Sequence, residues 1–400
     1  MSSEFQTDSY SPKEMAERVE NVGITKGNLD FWSTLALSIL AGVFIGFGAM
    51  FSTFVIHDSS LTVGFTRLIG GFTFCLGLIL VIVAGAELFT GNTLIVMAFV
   101  SKKTTLGKLL RNWGIVFIGN LIGSLLLILL VFLSDHWAMN DYKVGVKALQ
   151  IAIDKVNLSF MVAFIRGILC NIIVCLAVWL CFSCRNTVDK IMAIIFPITA
   201  FATLGFEHSV ANMFFIPAGL FLKSTAAVQK LANPAAIDSL TWGSFLIKNL
   251  LPVTLGNIVG GSVIIGVVYW FIYLRRDAQE PVRKIMTNGP TRVIPETTVQ
   301  KALDIMGEKK QSSILVGTEQ EAIGIVSEAD IIRKVMVQHK DAEKVLITEI
   351  MSSPLISVDV KTPIYAIYQI MSNKGIRHIL ITEAGKQIGF VSVKDFLRKG

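Results

Sequence analysis

Apolar residues run along the first two thirds of the chain in stretches too long for the interior of an ordinary soluble domain. A membrane-spanning helix needs about 20 consecutive apolar residues, and six stretches reach that length. They lie near residues 31–55, 68–99, 112–133, 158–183, 191–222 and 246–274. The pattern predicts six membrane spans with both chain ends on one side. The second and fifth stretches are too long for one straight crossing.

The two over-long stretches are interrupted by the same motif. The second contains Gly85-Ala-Glu-Leu-Phe-Thr-Gly-Asn92, and the fifth contains Gly205-Phe-Glu-His-Ser-Val-Ala-Asn212, so both read Gly-x-Glu-x4-Asn. The span after each carries a Gly-Asn-x-x-Gly piece, which begins at Gly119 or at Gly256. Spans 1–3 and 4–6 therefore look like two copies of one unit, inverted because each copy crosses three times. Inverted repeats with broken helices at corresponding positions are typical of transporters.

A break in a membrane helix frees backbone N–H and C=O groups, which must line a polar cavity or be buried in protein. The N-termini of the half-helices then direct partial positive charge toward the membrane centre, which favours an anion. An alternative is that the glycines only let helices pack closely. That alternative accounts for Gly119, Gly123, Gly256 and Gly260, but not for ionisable residues at the membrane centre.

Three ionisable residues, Glu87, Glu207 and His208, lie far from any predicted loop, where charges are costly and usually functional. Each glutamate has a structural alternative, in which it accepts hydrogen bonds from N–H groups freed at its own break. A histidine can carry or share a proton at ordinary pH, and His208 is the only histidine in the core of the membrane region. Its place beside a break in a repeat favours a transport role over that of a satisfied core histidine.

Composition divides the chain in the same way. Overall, 53% of residues are hydrophobic and 16% are charged, but residues 1–277 hold 34 charged residues and residues 278–400 hold 31. Basic residues in 101–111, at Arg275 and Arg276, and in the N-terminal arm predict that both termini are cytoplasmic. We expect the protein to lie in the plasma membrane. The first 30 residues lack the apolar core of a signal peptide. The sequence has no basic block with interleaved aromatic residues, so we expect no nucleic-acid partner. The Cys181–Cys184 pair is interpreted as two buried helix thiols.

The charged tail is a repeat of its own. Shifted by 65 positions, Gly324-Ile-Val-Ser-Glu-Ala-Asp330 meets Gly389-Phe-Val-Ser-Val-Lys-Asp395. Each copy reads strand, helix, two strands, helix, and neither has much core alone, so we expect the copies to pair. The predicted domains are an arm at 1–30, a membrane domain at 31–276, and repeats at 280–338 and 346–400.

Three motifs of the membrane half resemble the signatures of the formate/nitrite transporter family: residues 84–92, 204–219 and 252–261. The resemblance covers about residues 30–276. It implies an all-α, aquaporin-like protomer with six membrane helices, of which the second and fifth are broken. It also implies assembly as a pentamer with one pore per protomer.

The resemblance also implies the pore residues. His208 would be the central pore histidine, Thr90 its neighbour, Asn171 the pore asparagine and Lys155 the vestibule lysine. An outer apolar constriction and an inner one would be formed by two sets of three residues: Phe74, Leu78 and Phe201 outside, and Leu88, Phe89 and Val174 inside. The chain departs from the usual pattern of formate channels at Gly91-Asn92 and carries Arg166 early in its fourth span.

The tail resembles the tandem cystathionine-β-synthase (CBS) module, an α/β fold. This resemblance implies that an adenine nucleotide contacts the serine and the aspartate of each signature: Ser327, Asp330, Ser392 and Asp395. It also implies that Arg377 is a phosphate partner. The alternatives are a role in assembly only, with the aspartates capping the helices that follow.

We therefore expect transport of a small monovalent anion, formate first, with nitrite, hydrosulfide or acetate as alternatives. A proton shared through His208, or relayed from bulk water, would turn the anion into a neutral acid that passes the apolar rings. AMP, ADP, ATP or S-adenosylmethionine would be a regulatory ligand, and no cofactor is required. An enzyme is the rival class, but no nucleophile–base pair or metal cluster is visible in the sequence. A membrane-tethered nucleotide sensor with an idle pore is a third reading.

Overall fold

The structure, a computed structural model, describes residues 9–231, 237–275, 282–288, 291–318 and 321–396. The chain divides into two units, Met1–Arg275 and Arg276–Gly400. Among the described residues, the first unit is entirely helical, whereas the second combines helices with two β-sheets.

The helices of the first unit follow the apolar stretches. In chain order they are α1 (Pro12–Asn28), α2 (Phe31–Ile56), α3 (Val63–Val83), α4 (Phe89–Asn92), α5 (Val96–Val100), α6 (Leu106–Leu133), α7 (Lys143–Val156), α8 (Phe160–Ser183), α9 (Thr187–Thr203), α10 (Ser209–Leu222), α11 (Ala226–Leu231) and α12 (Ser244–Tyr273). Five of these described helices, α2, α3, α6, α8 and α12, are long and apolar enough to cross a membrane. The fifth predicted span is divided between α9 and α10.

Both predicted interruptions are breaks in the structure. Residues 84–88 separate α3 from α4, and residues 204–208 separate α9 from α10. Each break contains a glycine with positive φ, +81° at Gly85 and +73° at Gly205. Side chains rarely tolerate that conformation, so the first residue of each Gly-x-Glu-x4-Asn motif permits the break.

Glycines seat α2 against α6 and α8 against α12. A Cβ atom on any of four glycines would come within 2.3 Å of the neighbouring helix, too close for any real contact. The distances would be 1.8 Å from Gly119 to Ser38 Oγ, 2.0 Å from Gly123 to the Ile39 carbonyl oxygen, 2.2 Å from Gly256 to the Phe164 carbonyl oxygen and 2.3 Å from Gly260 to the Ile168 carbonyl oxygen. The close-packing role considered for these glycines is confirmed.

Helix α1 belongs to the packed part of the first unit, although the sequence suggested a separate arm. Met15, Ala16 and Val19 are buried in one apolar cluster with Leu94 and Met97. The helix therefore lies over the segment that follows the first break.

The second unit contains two similar sets of elements. They are β1 (Thr287–Asn288), β2 (Arg292–Val293), α13 (Val299–Glu308), β3 (Ser313–Gly317), β4 (Ala322–Ser327), α14 (Glu328–Ile331), β5 (Ser357–Asp359), α15 (Ile364–Lys374), β6 (His378–Glu383) and β7 (Lys386–Ser392). A π-helical turn extends α14 to Met336, and a 3-10 turn, Val393–Phe396, follows β7. From β2 in the first repeat and from β5 in the second, the order is strand, helix and two strands, as predicted.

The two repeats complete each other. Their sheets have the orders β1-β7-β6-β5 and β2-β3-β4. Strand β1, near the start of the first repeat, pairs with the second repeat, with Thr287 opposite Phe390. In return, Ser352, near the start of the second repeat, forms a bridge with Ile325 in the first. One apolar cluster also contains buried residues of both repeats, so the expected pairing is present.

Replacing Gly123 by alanine should destabilise the first unit, because the new methyl group would lie 2.0 Å from the Ile39 carbonyl oxygen. Overpacking of this kind costs about 1–3 kcal/mol. Gly114→Ala in the same helix is the matched control, since a Cβ there meets nothing within 4 Å. Thermal unfolding of the two variants in detergent measures the difference, and equal midpoints would contradict the packing argument.

Candidate functional sites

A buried network surrounds Glu87 at the first break. The Glu87 carboxylate accepts a hydrogen bond from Asn92 Nδ2 at 2.6 Å and pairs with Lys26 Nζ at 2.9 Å. Asn92 Nδ2 also donates to Asn112 Oδ1 at 2.9 Å, and Asn112 Nδ2 donates to the Lys26 carbonyl oxygen at 3.2 Å. These four residues, the Glu87 network, tie α1 and α6 to the break.

The second break has a matching network around Glu207. Its carboxylate accepts from Asn212 Nδ2 at 2.6 Å and pairs with Lys155 Nζ at 3.0 Å. Asn212 Nδ2 donates to Asn249 Oδ1 at 2.7 Å, and Asn249 Nδ2 donates to the Lys155 carbonyl oxygen at 2.9 Å. This Glu207 network repeats the first one residue for residue, with α7 and α12 in place of α1 and α6.

Two asparagines satisfy the N–H groups that open the half-helices. Asn120 Oδ1 accepts from the Phe89 N–H at 3.0 Å, and Asn257 Oδ1 accepts from the Ser209 N–H at 2.9 Å. The glutamates therefore brace the breaks through side-chain amides and lysines. The expectation that their carboxylates accept from the freed backbone N–H groups is wrong, because the asparagines of the Gly-Asn-x-x-Gly motifs already do so.

His208 joins the two breaks. It precedes α10, and its Nδ1 accepts a hydrogen bond from the Ala211 N–H at 3.0 Å. Because Nδ1 is an acceptor, the ring proton lies on Nε2, which donates to Thr90 Oγ1 in α4 at 2.9 Å. The His208 residue is only 3% exposed. The imidazole thus caps one half-helix and contacts the other.

Asn171 in α8 lies beside this pair. Its Nδ2 donates to the Asn257 carbonyl oxygen at 2.7 Å and to the Thr90 carbonyl oxygen at 3.3 Å. Its Oδ1 is buried and has no hydrogen-bond partner within the part of the chain that the structure describes. The structure therefore brings together three of the expected pore residues: His208, Thr90 and Asn171.

The residues expected in the apolar constrictions are all buried. The Phe201 ring centroid lies 5.7 Å from that of Phe74 and 6.0 Å from that of His208. A cavity of about 420 Å³ is lined by Leu78, Leu88, Lys26 and Glu87, among others. It thus reaches one member of each predicted constriction, whereas Phe74, Phe89, Val174 and Phe201 do not line it.

Comparison with known proteins decides the family. Residues 13–271 match the family model described as formate/nitrite transporter. The chain belongs to the formate/nitrite transporter family. It is 41% identical over 275 residues to the formate channel FocA of Escherichia coli K12, an alignment that covers 68% of this chain and 96% of FocA. It is also 40% identical over 272 residues to the uncharacterized transporter YrhG of Bacillus subtilis, covering 66% of this chain and 94% of YrhG.

Solved structures agree with this assignment. A pentameric formate channel with formate bound superimposes with a TM-score of 0.58 at 41% identity, covering 61% of this chain and 98% of that one. An ion channel of the same family gives a TM-score of 0.55 at 29% identity, covering 64% and 98%. Members of the formate/nitrite transporter family are channels or transporters, so the chain is a transport protein and not an enzyme. Residues 282–337 and 347–400 each match the CBS domain model, so the chain also carries two CBS domains.

Three network residues were missed from the sequence: Lys26, Asn112 and Asn249. A signal for the asparagines was present, because each lies seven positions before the glycine of its Gly-Asn-x-x-Gly motif. Lys26 precedes the first predicted span and was assigned to the arm, so nothing marked it as the counterpart of Lys155.

In the CBS unit, a cavity of about 290 Å³ brings together Ser327, Asp330 and Arg377. Ser392 and Asp395 do not line this cavity. Both aspartates accept from the serine of their own signature: Asp330 Oδ2 from Ser327 Oγ at 2.6 Å, and Asp395 Oδ2 from Ser392 Oγ at 2.8 Å.

The charge of Asp330 follows from its contacts. Burial alone would raise the pKa of the Asp330 carboxyl, but hydrogen bonds from Ser327 and the Lys334 ammonium hold that pKa below its usual value. Asp330 is therefore ionised at neutral pH and is available as an acceptor on the cavity wall.

The Lys155–Glu207 pair should be energetically coupled. Lys155→Met leaves a carboxylate that is 5% exposed without its cation, and breaking a buried pair costs about 3–5 kcal/mol. The double variant with Glu207→Gln should recover much of that loss in a double-mutant cycle of unfolding free energies. Lys143→Met is the matched control, because the Lys143–Asp58 pair has a similar 2.9 Å distance but both side chains are about half exposed. We expect less than about 1 kcal/mol there. Equal effects at the two sites would contradict the argument.

Proposed function

We propose that this protein is a formate channel of the plasma membrane with both termini in the cytoplasm. The 41% identity to a protein named as a formate channel supports formate as the substrate. The basic residues in 101–111 and after α12 support the orientation. We also propose a pentamer surrounded by lipid, because a solved relative is described as pentameric and many large apolar side chains of α3, α6 and α9 are exposed in the single chain.

One observation carries the proposed mechanism: the hydrogen bond between His208 Nε2 and Thr90 Oγ1. It joins the N-terminal ends of α4 and α10, the two half-helices whose dipoles favour an anion. Phe201, a predicted outer-ring residue, packs beside the imidazole. The site thus combines a hydrogen-bond donor with apolar surroundings.

The chemistry follows from desolvation. A bare anion between apolar rings has lost its water, at a cost far above that of a neutral acid. The Nε2–H of His208 points at the position where a carboxylate oxygen could replace Thr90 Oγ1. A proton relayed from bulk water would neutralise the carboxylate while the Nε2–H donates a hydrogen bond to it, and the resulting formic acid crosses the rings. His208 keeps its own ring proton throughout.

Replacing His208 by asparagine should abolish proton-linked formate uptake in liposomes, to the level of empty vesicles. Asparagine is a good N-cap residue, so it can still accept from the Ala211 N–H and preserve α10. The oligomer should therefore assemble as before, which size-exclusion chromatography checks. His136→Gln, a change of a half-buried histidine, is the control and should transport normally. Unchanged uptake by His208→Asn between pH 5 and pH 8 would remove His208 from the mechanism.

The same vesicles rank the substrates. Formate, nitrite, hydrosulfide and acetate are all small anions of weak acids, and the protonation argument applies to each. If the flux of nitrite or hydrosulfide exceeds that of formate, that anion replaces formate as the proposed substrate. Absence of flux with all four would favour the membrane-tethered sensor.

We propose further that the CBS pair binds an adenine nucleotide in the cavity lined by Ser327, Asp330 and Arg377, and that binding changes flux through the pore. The ionised Asp330 is suited to accept hydrogen bonds from ribose hydroxyls, and Arg377 is suited to hold a phosphate. Coupling must be reciprocal, so a nucleotide that alters the pore must have its own affinity altered by the pore state.

Asp330→Asn should weaken AMP binding to the full-length protein roughly tenfold or more, because hydrogen bonds to a charged group contribute about 1.5–3 kcal/mol. Calorimetric titration in detergent with AMP, ADP, ATP and S-adenosylmethionine measures the effect. Asp341→Asn, at an exposed aspartate outside the cavity, is the control. If none of the four ligands produces a heat of binding, a role of the tail in assembly only is favoured. Binding without a change of formate flux would remove the regulatory part of the proposal.

A further inference from the structure

The cavity of the CBS unit carries three basic side chains besides its aspartate: Arg333, Arg377 and His378. Among the described residues, none of these three side chains forms a hydrogen bond or an ion pair. The one carboxylate on the wall, Asp330, already accepts from Ser327 and lies 3.4 Å from Lys334 Nζ. The cavity therefore has an excess of positive charge that no protein group balances.

His378 occupies a particular place in this wall. It is the first residue of β6, stands opposite Ser392 of β7, and its ring centroid lies 6.0 Å from that of Phe390. The side chain is only partly exposed, whereas both arginines are open to solvent. The imidazole is thus the one titratable group of the three whose charge depends on what occupies the cavity.

Several charges surround the ring. Asp330 of α14 and Arg333 share the cavity, and Lys334 lies 3.4 Å from the Asp330 carboxylate. Lys394 and Asp395 lie on the turn after β7, and Arg377 is the residue before His378. Burial is the largest effect and lowers the pKa of His378; Asp330 and Asp395 raise it, and Arg377 and Lys394 lower it further. The net shift is downward, so the imidazole of the empty cavity is neutral at neutral pH.

We propose that His378 takes up a proton when the phosphate of a nucleotide enters this cavity, so that ligand binding by the tail tightens as pH falls. This inference rests on the nucleotide binding proposed above. An anionic phosphate within about 4–6 Å favours the charged form of a histidine. The proton comes from bulk water and stays on the ring nitrogen while the ligand is bound.

The direction of the pH effect follows from linkage. The pKa of His378 is low in the free protein and higher in the complex, so the complex binds more protons than the free protein. Affinity therefore rises as pH falls through the interval between the bound-state and free-state pKa values, and is independent of this group above that interval. A channel that carries a weak acid changes the pH where the acid dissociates, so a proton-linked tail would respond to the pore's own activity.

The test is calorimetric titration of the full-length protein with AMP between pH 6.5 and pH 8. Each titration is repeated in two buffers of different ionisation enthalpy, so that the protons taken up per AMP are counted directly. We expect up to about one proton per AMP and an affinity gain of up to about tenfold per pH unit. His378→Gln should bind AMP without this uptake, because a phosphate beside Arg333 and Arg377 is favoured as the dianion and can only release a proton. His339→Gln, at an exposed histidine outside the cavity, is the matched control and should behave as the wild type.

The outcomes separate the two proposals. If wild type binds none of AMP, ADP, ATP or S-adenosylmethionine, nucleotide binding and the proton linkage fall together. If wild type binds AMP with the same proton uptake as His378→Gln, the linkage is wrong and nucleotide binding stands. If His378→Gln does not bind, the proton count in the wild type still decides, because an absence of uptake at about pH 7.5, where the AMP phosphate is already dianionic, would overturn the proposal.

Discussion

A backbone N–H that leaves a membrane helix must find another acceptor, because lipid offers none. At both breaks the acceptor is one asparagine side chain, Asn120 or Asn257, on the long helix that follows. The same carboxamide donates to two carbonyl oxygens, one in the break and one in the neighbouring helix, at 2.8–3.0 Å. The adjacent glycines bring that helix close enough for these bonds. The glycines and the asparagine of Gly-Asn-x-x-Gly thus act together. The glycines allow the two helices to approach closely, and the asparagine side chain forms hydrogen bonds across that short distance.

The buried lysine–glutamate pairs follow from this frame. Each glutamate holds the asparagine that ends its motif, and a buried carboxylate requires a cation. Lys26 and Lys155 supply it at 2.9 and 3.0 Å from helices outside the breaks. Within the described residues, each network therefore pairs one carboxylate with one ammonium. The polar groups left at the centre are dipoles: the half-helix N-termini, the His208 N–H, and the side chains of Thr90 and Asn171. A dipole stabilises a passing anion without holding it as a fixed cation would.

Much of this arrangement could be predicted from the sequence, and the limits have physical causes. Long apolar runs and the repeated motifs predicted the breaks and the residues around His208, because glycine, glutamate and histidine at mid-membrane are costly unless used. The Glu87 and Glu207 networks could not be predicted in full from the sequence. Lys26 belongs to a mixed amphipathic helix, and nothing in the local sequence shows that α1 packs inward. In the tail, the 65-residue shift predicted both repeats but not that β1 crosses to the second sheet, because a two-residue strand carries no periodicity.

The two halves share a scaffold, and the chemistry lies where they differ. A shift of 120 positions overlays Gly85, Glu87 and Asn92 on Gly205, Glu207 and Asn212. Between the shared positions, Leu88 is replaced by His208, and Thr90 is replaced by Val210. The ionisable ring of His208 and the hydroxyl of Thr90, two groups that break the repeat, bond to each other at 2.9 Å. A symmetric frame with interchangeable residues would place the same group on both sides of the centre. This pair places a donor on one half-helix and its acceptor on the other, so the two halves meet through a single proton.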